Sequence, residues 1–297
     1  MKLSYMPSAS GFLGISDKSN PAERAKIAVI PFGFEHSVSY GGGTAKGPMA
    51  MIKASHQVEL FDEELWCESY RKFGVATVKT PPVKKTVAAA LTQLADLTAS
   101  VLDSGKFPFI FGGEHSITAG AIRPFARRHK NLTIVHFDAH ADLRDGYDGE
   151  HFSHAAALRR CLDQPGHEHI KLVSIGIRNI SAGEVPFLDK NKKRISIFWA
   201  KDKMDWTIPA ILNAVGKGPV YLTFDIDAFD ASMIPATGTP EPGGLFWDET
   251  MAILRAVTQH NKIVGADIVE LAPKPNLHAC DFMAAKLAYK MMGYIWG

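Results

Sequence analysis

Short apolar runs recur along the chain, each followed by a more polar stretch. They are Ile27–Phe32, Phe107–Phe111, Leu132–Phe137, Ile170–Ile175, Ile195–Trp199, Val220–Phe224 and Ile263–Val269. Most are rich in Val, Ile and Phe and do not alternate with polar residues, the pattern of strands buried on both faces. Between several of them lie helical patterns. Val87, Leu91, Leu94, Val101 and Leu102 fall at three- or four-residue steps or their multiples and form one apolar stripe. Ile208–Val215 and Thr250–Val257 read similarly, and His278–Trp296 reads as a closing helix. Lys286 and Lys290 interrupt that last segment, so it is not a membrane span. Strand–helix alternation without repeats or low-complexity tracts predicts one α/β domain over residues 1–297, built on a mainly parallel sheet. In such sheets ligands bind beyond the carboxyl ends of the strands.

Composition narrows the class. Lys+Arg total 33 against Asp+Glu 31, so phosphate attraction cannot drive nucleic-acid binding, and no polybasic membrane binder is expected. Cys67, Cys161 and Cys280 are too scattered for a disulfide framework or a thiolate metal site, and read as reduced, buried thiols of a cytoplasmic protein. No apolar run reaches the roughly 18 residues that a span requires. Residues 1–25 are polar and lack the apolar region of a signal peptide.

The candidate chemistry gathers at three strand ends. Leu132–Phe137 runs into Asp138-Ala139-His140-Ala141-Asp142, three potential ligands at every second residue. In extended chain these point to one side. Val220–Phe224 ends in Asp225-Ile226-Asp227, with the same spacing. Phe107–Phe111 ends in Gly112-Gly113-Glu114-His115, where glycines permit a tight turn and close backbone approach. Together the three ends supply two imidazoles and four carboxylates, more than one small cation needs. They suit two ions that share carboxylates, with water completing each shell. Four buried carboxylates without metal would repel one another and be costly to desolvate. The absence of thiolates argues against structural zinc, and carboxylate with imidazole and open water positions favours Mn(II), with Fe(II), Co(II), Ni(II) or Zn(II) open.

These motifs resemble those of the arginase/agmatinase (ureohydrolase) family, and agmatinases most. Phe111–Ser116, Asp138–Asp142 and Thr223–Asp227 match the family's three metal motifs in order, and Pro235, Ala236 and Gly244 extend the third match. Glu270 matches an acidic residue near the chain end, and Ser39–Thr44 with Gly47-Pro48 also fit. The resemblance implies a three-layer α/β/α sandwich around a parallel sheet of about eight strands. It also implies two Mn(II) ions and hydrolysis of a guanidinium group to urea. Carried over by position, His115, Asp138, Asp142 and Asp225 hold one metal. Asp138, His140, Asp225 and Asp227 hold the other, so that Asp138 and Asp225 bridge. Asp142 also accepts a hydrogen bond from the bridging water. The family often assembles as trimers or hexamers, so a homo-oligomer is expected.

Glu270 is the natural partner of a planar guanidinium, which one carboxylate can grip bidentately. His154 is the expected proton shuttle for the leaving amine, by its spacing from Asp142, with His151 as the alternative. His136 supports the site or the core. His36, His56, His129, His167, His169 and His260 read as surface groups or satisfied polar contacts.

The segment Leu143–Ser153 carries Asp145, Asp148 and Glu150 against Arg144, an acidic mouth suited to an amine-tailed substrate. Agmatine, giving putrescine and urea, is therefore the expected substrate. Arginine, guanidinobutyrate, aminopropylagmatine and guanidine are alternatives, since Arg144, Arg159 or Arg160 could receive a carboxylate. Lys274–Asp281 departs from the agmatinase pattern and is a candidate entrance segment.

Three rivals differ in class. A nucleotide-binding loop fails because Gly42 and Gly47 are followed by Pro48 and Met49, not Lys and Ser/Thr. A single-zinc deacetylase-like enzyme would not need both His115 and Asp142. A non-catalytic scaffold would not need every ligand together with Glu270.

Overall fold

The computed structural model describes residues 3–297. Among the described residues ten strands form: β1 Ile27–Phe32, β2 Phe61–Asp62, β3 Cys67–Glu68, β4 Val75–Thr77, β5 Phe107–Gly112, β6 Thr133–Phe137, β7 Lys171–Ile177, β8 Ile195–Trp199, β9 Val220–Asp225 and β10 Ile263–Val269. Eight of them make one sheet in the order β4-β1-β5-β10-β9-β6-β7-β8, and every pairing is parallel. β2 and β3 form a separate antiparallel pair.

Helices cover both faces, which is why the strands read as continuous apolar runs. Val29, Phe109, Phe137, Leu222 and Ile268 pack with the helices Gly47–Ser55, Ile208–Val215, Trp247–His260 and His278–Trp296. Their neighbours Ile30, Ile110, Ile134 and Tyr221 pack with Val87–Asp103 and Ala157–Asp163 on the other face. This is the expected α/β/α arrangement around eight parallel strands. All seven apolar runs are strands, and each predicted helix is present, with Trp247–His260 extending beyond Thr250–Val257.

The expectation of three buried thiols needs correction, and the structure adds elements and contacts that the sequence pattern did not show. The three-residue edge strand β4 and the β2–β3 pair carried no legible period. The Lys290 ammonium on the closing helix is buried and donates to Asp62 Oδ1 at 3.0 Å, and Tyr294 on the same helix donates to Glu64. Cys161 and Cys280 are buried, but Cys67 is half-buried.

The chain leaves β5 and next enters the sheet at β6, three places away; β9 and β10 fill the gap afterwards. The four strands β5, β10, β9 and β6 are therefore adjacent, and their carboxyl ends carry His115, Glu270, Asp225 and Asp138. The turn after β5 depends on Gly113, where a Cβ would lie 1.9 Å from the Phe34 carbonyl oxygen. Only glycine lets the two backbones approach so closely. No helix among the described residues is long and apolar enough to cross a membrane.

Candidate active site

The three strand ends that carry the candidate ligands converge, but not as extended chain. The backbone bends at Ala139, and Asp142 sits in the left-handed region at φ 53°. Ile226–Ala228 is a 3-10 turn, capped by Asp225, whose Oδ1 accepts the Asp227 N–H at 2.9 Å. Turns, not strand alternation, bring the carboxylates together. Such turns stay local because short Asp side chains accept from nearby backbone N–H groups.

His115 occupies the centre. Its Nδ1 lies 3.1 Å from Asp138 Oδ2, 3.1 Å from Asp142 Oδ2 and 3.3 Å from Asp225 Oδ2. It has no hydrogen-bond partner although it is buried. The other ring nitrogen explains why. The Thr223 hydroxyl donates to Asp267 Oδ1 at 2.6 Å, so it can only accept from His115 Nε2–H at 3.0 Å. In the neutral ring Nδ1 turns a lone pair to three carboxylate oxygens; burial opposes charge there, but Asp138, Asp142 and Asp225 prevail and raise the imidazole well above its usual range, so the position favours a cation, proton or metal.

A second cluster shares Asp138. His140 Nδ1 lies 3.5 Å from Asp138 Oδ1 and 3.1 Å from Asp227 Oδ2. Asp138 thus turns one oxygen to each cluster, as a bridging carboxylate does. His136 lies beside the first cluster, but both its nitrogens have partners, Asp138 Oδ2 at 2.7 Å and Ser174 Oγ at 3.0 Å. It supports Asp138, whereas His115 keeps an uncommitted nitrogen. The nitrogen and oxygen donor set, with its orphaned imidazole nitrogen, fits divalent cations.

The ionisation pattern reflects this crowding. Burial, reinforced by Asp138, pushes the Asp142 carboxyl up to about 7. Burial also raises Asp225 well above the usual carboxylate range, with Asp227 and Asp138 adding to it. For His140 burial opposes the charged form, yet Asp227 and Asp138 prevail and raise it to about 12.

A cavity of about 210 Å³ opens over these groups. Asp142, Asp225, Asp227, Glu270 and His154 all line it. Glu270, at φ 65°, is buried, and its Oε1 accepts the His115 backbone N–H at 2.6 Å. Burial, then Glu114, hold its carboxyl well above the usual range. His151 is not on the wall: it is exposed and its ring contacts Arg160.

The acidic residues expected at the mouth do not line it, although Glu184 does. From the Leu143–Ser153 segment only Arg144 and Tyr147 reach the wall, with the guanidinium 5.1 Å from the centre of the Tyr147 ring. Asp145 is drawn away to Arg159 and Arg160 at 3.0 and 2.8 Å, and Glu150 accepts the Phe152 N–H. Those pairings also engage Arg159 and Arg160, which leaves Arg144 as the arginine on the wall. No residue of Lys274–Asp281 lines the cavity; Lys274 donates to the Pro235 carbonyl. Sequence reasoning missed Asp267 and Glu114, whose partners lie far away in the chain.

The comparisons agree with this architecture. Residues 25–293 match the model of the Arginase family. The chain is 37% identical over 284 residues to an N(1)-aminopropylagmatine ureohydrolase of Synechocystis sp., covering 92% of this chain and 90% of that one. It is 31% identical to an agmatinase of Bacillus anthracis, covering 86% and 87% of the two chains. Among solved structures, the agmatine ureohydrolase of Thermoplasma volcanium superposes with a TM-score of 0.82 at 30% identity, covering 95% and 93%. The eight-stranded sheet, the crossing that gathers four strand ends and the extent of these matches have one explanation: the chain belongs to the arginase family.

Proposed function

We propose that the chain is a metal-dependent ureohydrolase that cleaves a linear, amine-tailed guanidino compound to urea and an amine. The balanced reaction is R–NH–C(NH2)2⁺ + H2O → R–NH3⁺ + OC(NH2)2. The observation that carries this reading is the orphaned Nδ1 of His115 among three carboxylates, in a cavity that Glu270 and His154 share. The proposal includes two Mn(II) per chain, held by His115, Asp138, Asp142 and Asp225 on one side and by Asp138, His140, Asp225 and Asp227 on the other. It also includes a single catalytic domain, a cytoplasmic trimer or hexamer and a small-molecule substrate.

A bound pair of divalent cations supplies Lewis-acid charge and a source of hydroxide near neutral pH. The side chains do the rest. Asp142 accepts a hydrogen bond from the attacking water and orients its lone pair toward the guanidinium carbon. Glu270 holds the guanidinium, and its fixed Oε1 sets the plane of that contact. His154 takes up the proton that the attacking water releases and passes it to the departing amine nitrogen as the C–N bond breaks. Burial holds the His154 imidazole below its usual range, which eases proton release.

For the tail, N1-aminopropylagmatine is supported ahead of agmatine by the 37% relative against the 31% one. A guanidino acid is a second reading, favoured by Arg144 on the wall. Urea release from manganese-loaded protein, measured across aminopropylagmatine, agmatine, guanidinobutyrate, arginine and guanidine, tests both. Faster kcat/KM on guanidinobutyrate or arginine overturns the amine-tail assignment, and no urea from any of them overturns the function.

A further inference from the structure

Ser37 and Glu114 lie outside the groups assigned a role above, yet they meet His154. Glu114 is fully buried. Its Oε2 accepts the backbone N–H groups of His36 and Ser37, both at 2.6 Å. Its Oε1 accepts the hydroxyls of Ser37 at 2.8 Å and Ser116 at 2.6 Å. Four donors thus converge on one carboxylate, and the single hydroxyl hydrogen of Ser37 is committed to it. Ser37 Oγ must then accept whatever else it meets. It accepts the His154 backbone N–H at 2.9 Å and lies 3.3 Å from His154 Nδ1. Only Nδ1–H satisfies that second contact.

We propose that Ser37, itself held by Glu114, is a positioning residue that fixes the ring tautomer and orientation of His154. Nδ1 keeps its hydrogen on Ser37 throughout. Nε2 is left to the cavity that the ring lines, as the nitrogen that takes up a proton and passes it to the leaving amine. The arrangement is that of a carboxylate ordering an imidazole through an intervening hydroxyl. The wrong tautomer is a costly defect in such a group, because the nitrogen facing the reaction then carries the wrong hydrogen. The inference rests on His154 being the proton donor, as proposed above.

The test measures steady-state urea release from the manganese-loaded full chain for Ser37→Ala, Ser37→Thr and His154→Gln, on the best substrate of the panel. Ser37→Ala is expected to lower kcat by about tenfold to a hundredfold, the scale of general acid catalysis. Its KM stays within about twofold, because Ser37 does not line the cavity. Ser37→Thr, which keeps the hydroxyl, restores most of kcat. Should Ser37→Ala lose its cooperative thermal melt, the nearly isosteric Ser37→Cys carries the same expectation, since a thiol is a weak acceptor. If His154→Gln loses kcat while Ser37→Ala keeps it, the positioning role is overturned and the shuttle stands. If His154→Gln keeps kcat, the shuttle reading is overturned and this inference with it. A Ser37→Ala effect confined to KM also overturns it, marking Ser37 as a support of the binding loop only.

Discussion

The hydroxyl of Thr223 lies 3.0 Å from His115 Nε2 and passes its hydrogen to Asp267, so a residue inside β9 determines which nitrogen of His115 faces the carboxylates. Asp267 is in turn held by Tyr221 at 2.7 Å and Thr118 at 3.0 Å. Thr223→Val keeps the shape and removes the acceptor. It should weaken Mn(II) binding about tenfold to a hundredfold, the usual cost of losing such a supporting partner. Calorimetric titration of metal into metal-stripped protein checks this, and wild-type affinity would count against the assigned tautomer.

The metal-free protein should lose stability as pH rises from 6.5 to 8.5. Asp142 is raised from 3.8 to about 7 and His140 from 6.5 to about 12, while Asp225 and Glu270 stand well above their ordinary values. A group whose pKa is raised by folding holds its proton in the native state when the unfolded chain has released it. Its contribution is complete below the unfolded value and fades as pH climbs through the folded one. His136 and His154, lowered by burial, act in the opposite sense near 6.5, where their unfolded imidazoles are still half protonated, and drop out above about 7.5. Added Mn(II) should oppose the trend, because ligands must be deprotonated to bind. Thermal melts across the window, with chelator and with metal, decide it; a chelated sample that stabilises with rising pH would contradict the buried-carboxylate picture.

Arg144 offers a handle on the substrate tail. Arg144→Ala removes a positive charge from the cavity wall. For amine-tailed compounds kcat/KM should rise by about fivefold, the effect of ~1 kcal/mol from one partly screened charge. For guanidinobutyrate it should fall. The reverse pattern would move the assignment to a guanidino acid.

Lys290→Met tests the anchoring of the C-terminal helix. The ammonium and Asp62 are both almost fully buried, and Glu63 and Glu64 lie at 3.1 and 3.4 Å. Removing the cation leaves a buried carboxylate unpaired and should cost about 3–5 kcal/mol. The midpoint of urea denaturation should fall while kcat at low denaturant stays unchanged, since the pair is remote from the cavity. An unchanged midpoint would show that solvent reaches Asp62.

Much of this molecule is legible along the chain. Strands buried on both faces have to be apolar throughout, so Ile27–Phe32, Val220–Phe224 and Ile263–Val269 stand out in composition alone. The proposed ligands Asp138, His140, Asp142, Asp225 and Asp227 stand out because turns with short side chains keep each motif within a few residues. Tertiary structure decided what depends on partners distant in sequence. The β4 strand is too short to show a period and exists by pairing with β1. The acidic residues of the mouth were legible, but Arg159 and Arg160 on a neighbouring helix draw Asp145 from the cavity. Thr223 and Asp267 on one hand, and Ser37, Glu114 and His154 on the other, meet only because strand order β5-β10-β9-β6 folds separate segments onto one edge. Local pattern records what a residue buries. Which nitrogen of an imidazole is free depends on groups that only the packed sheet brings within hydrogen-bonding distance.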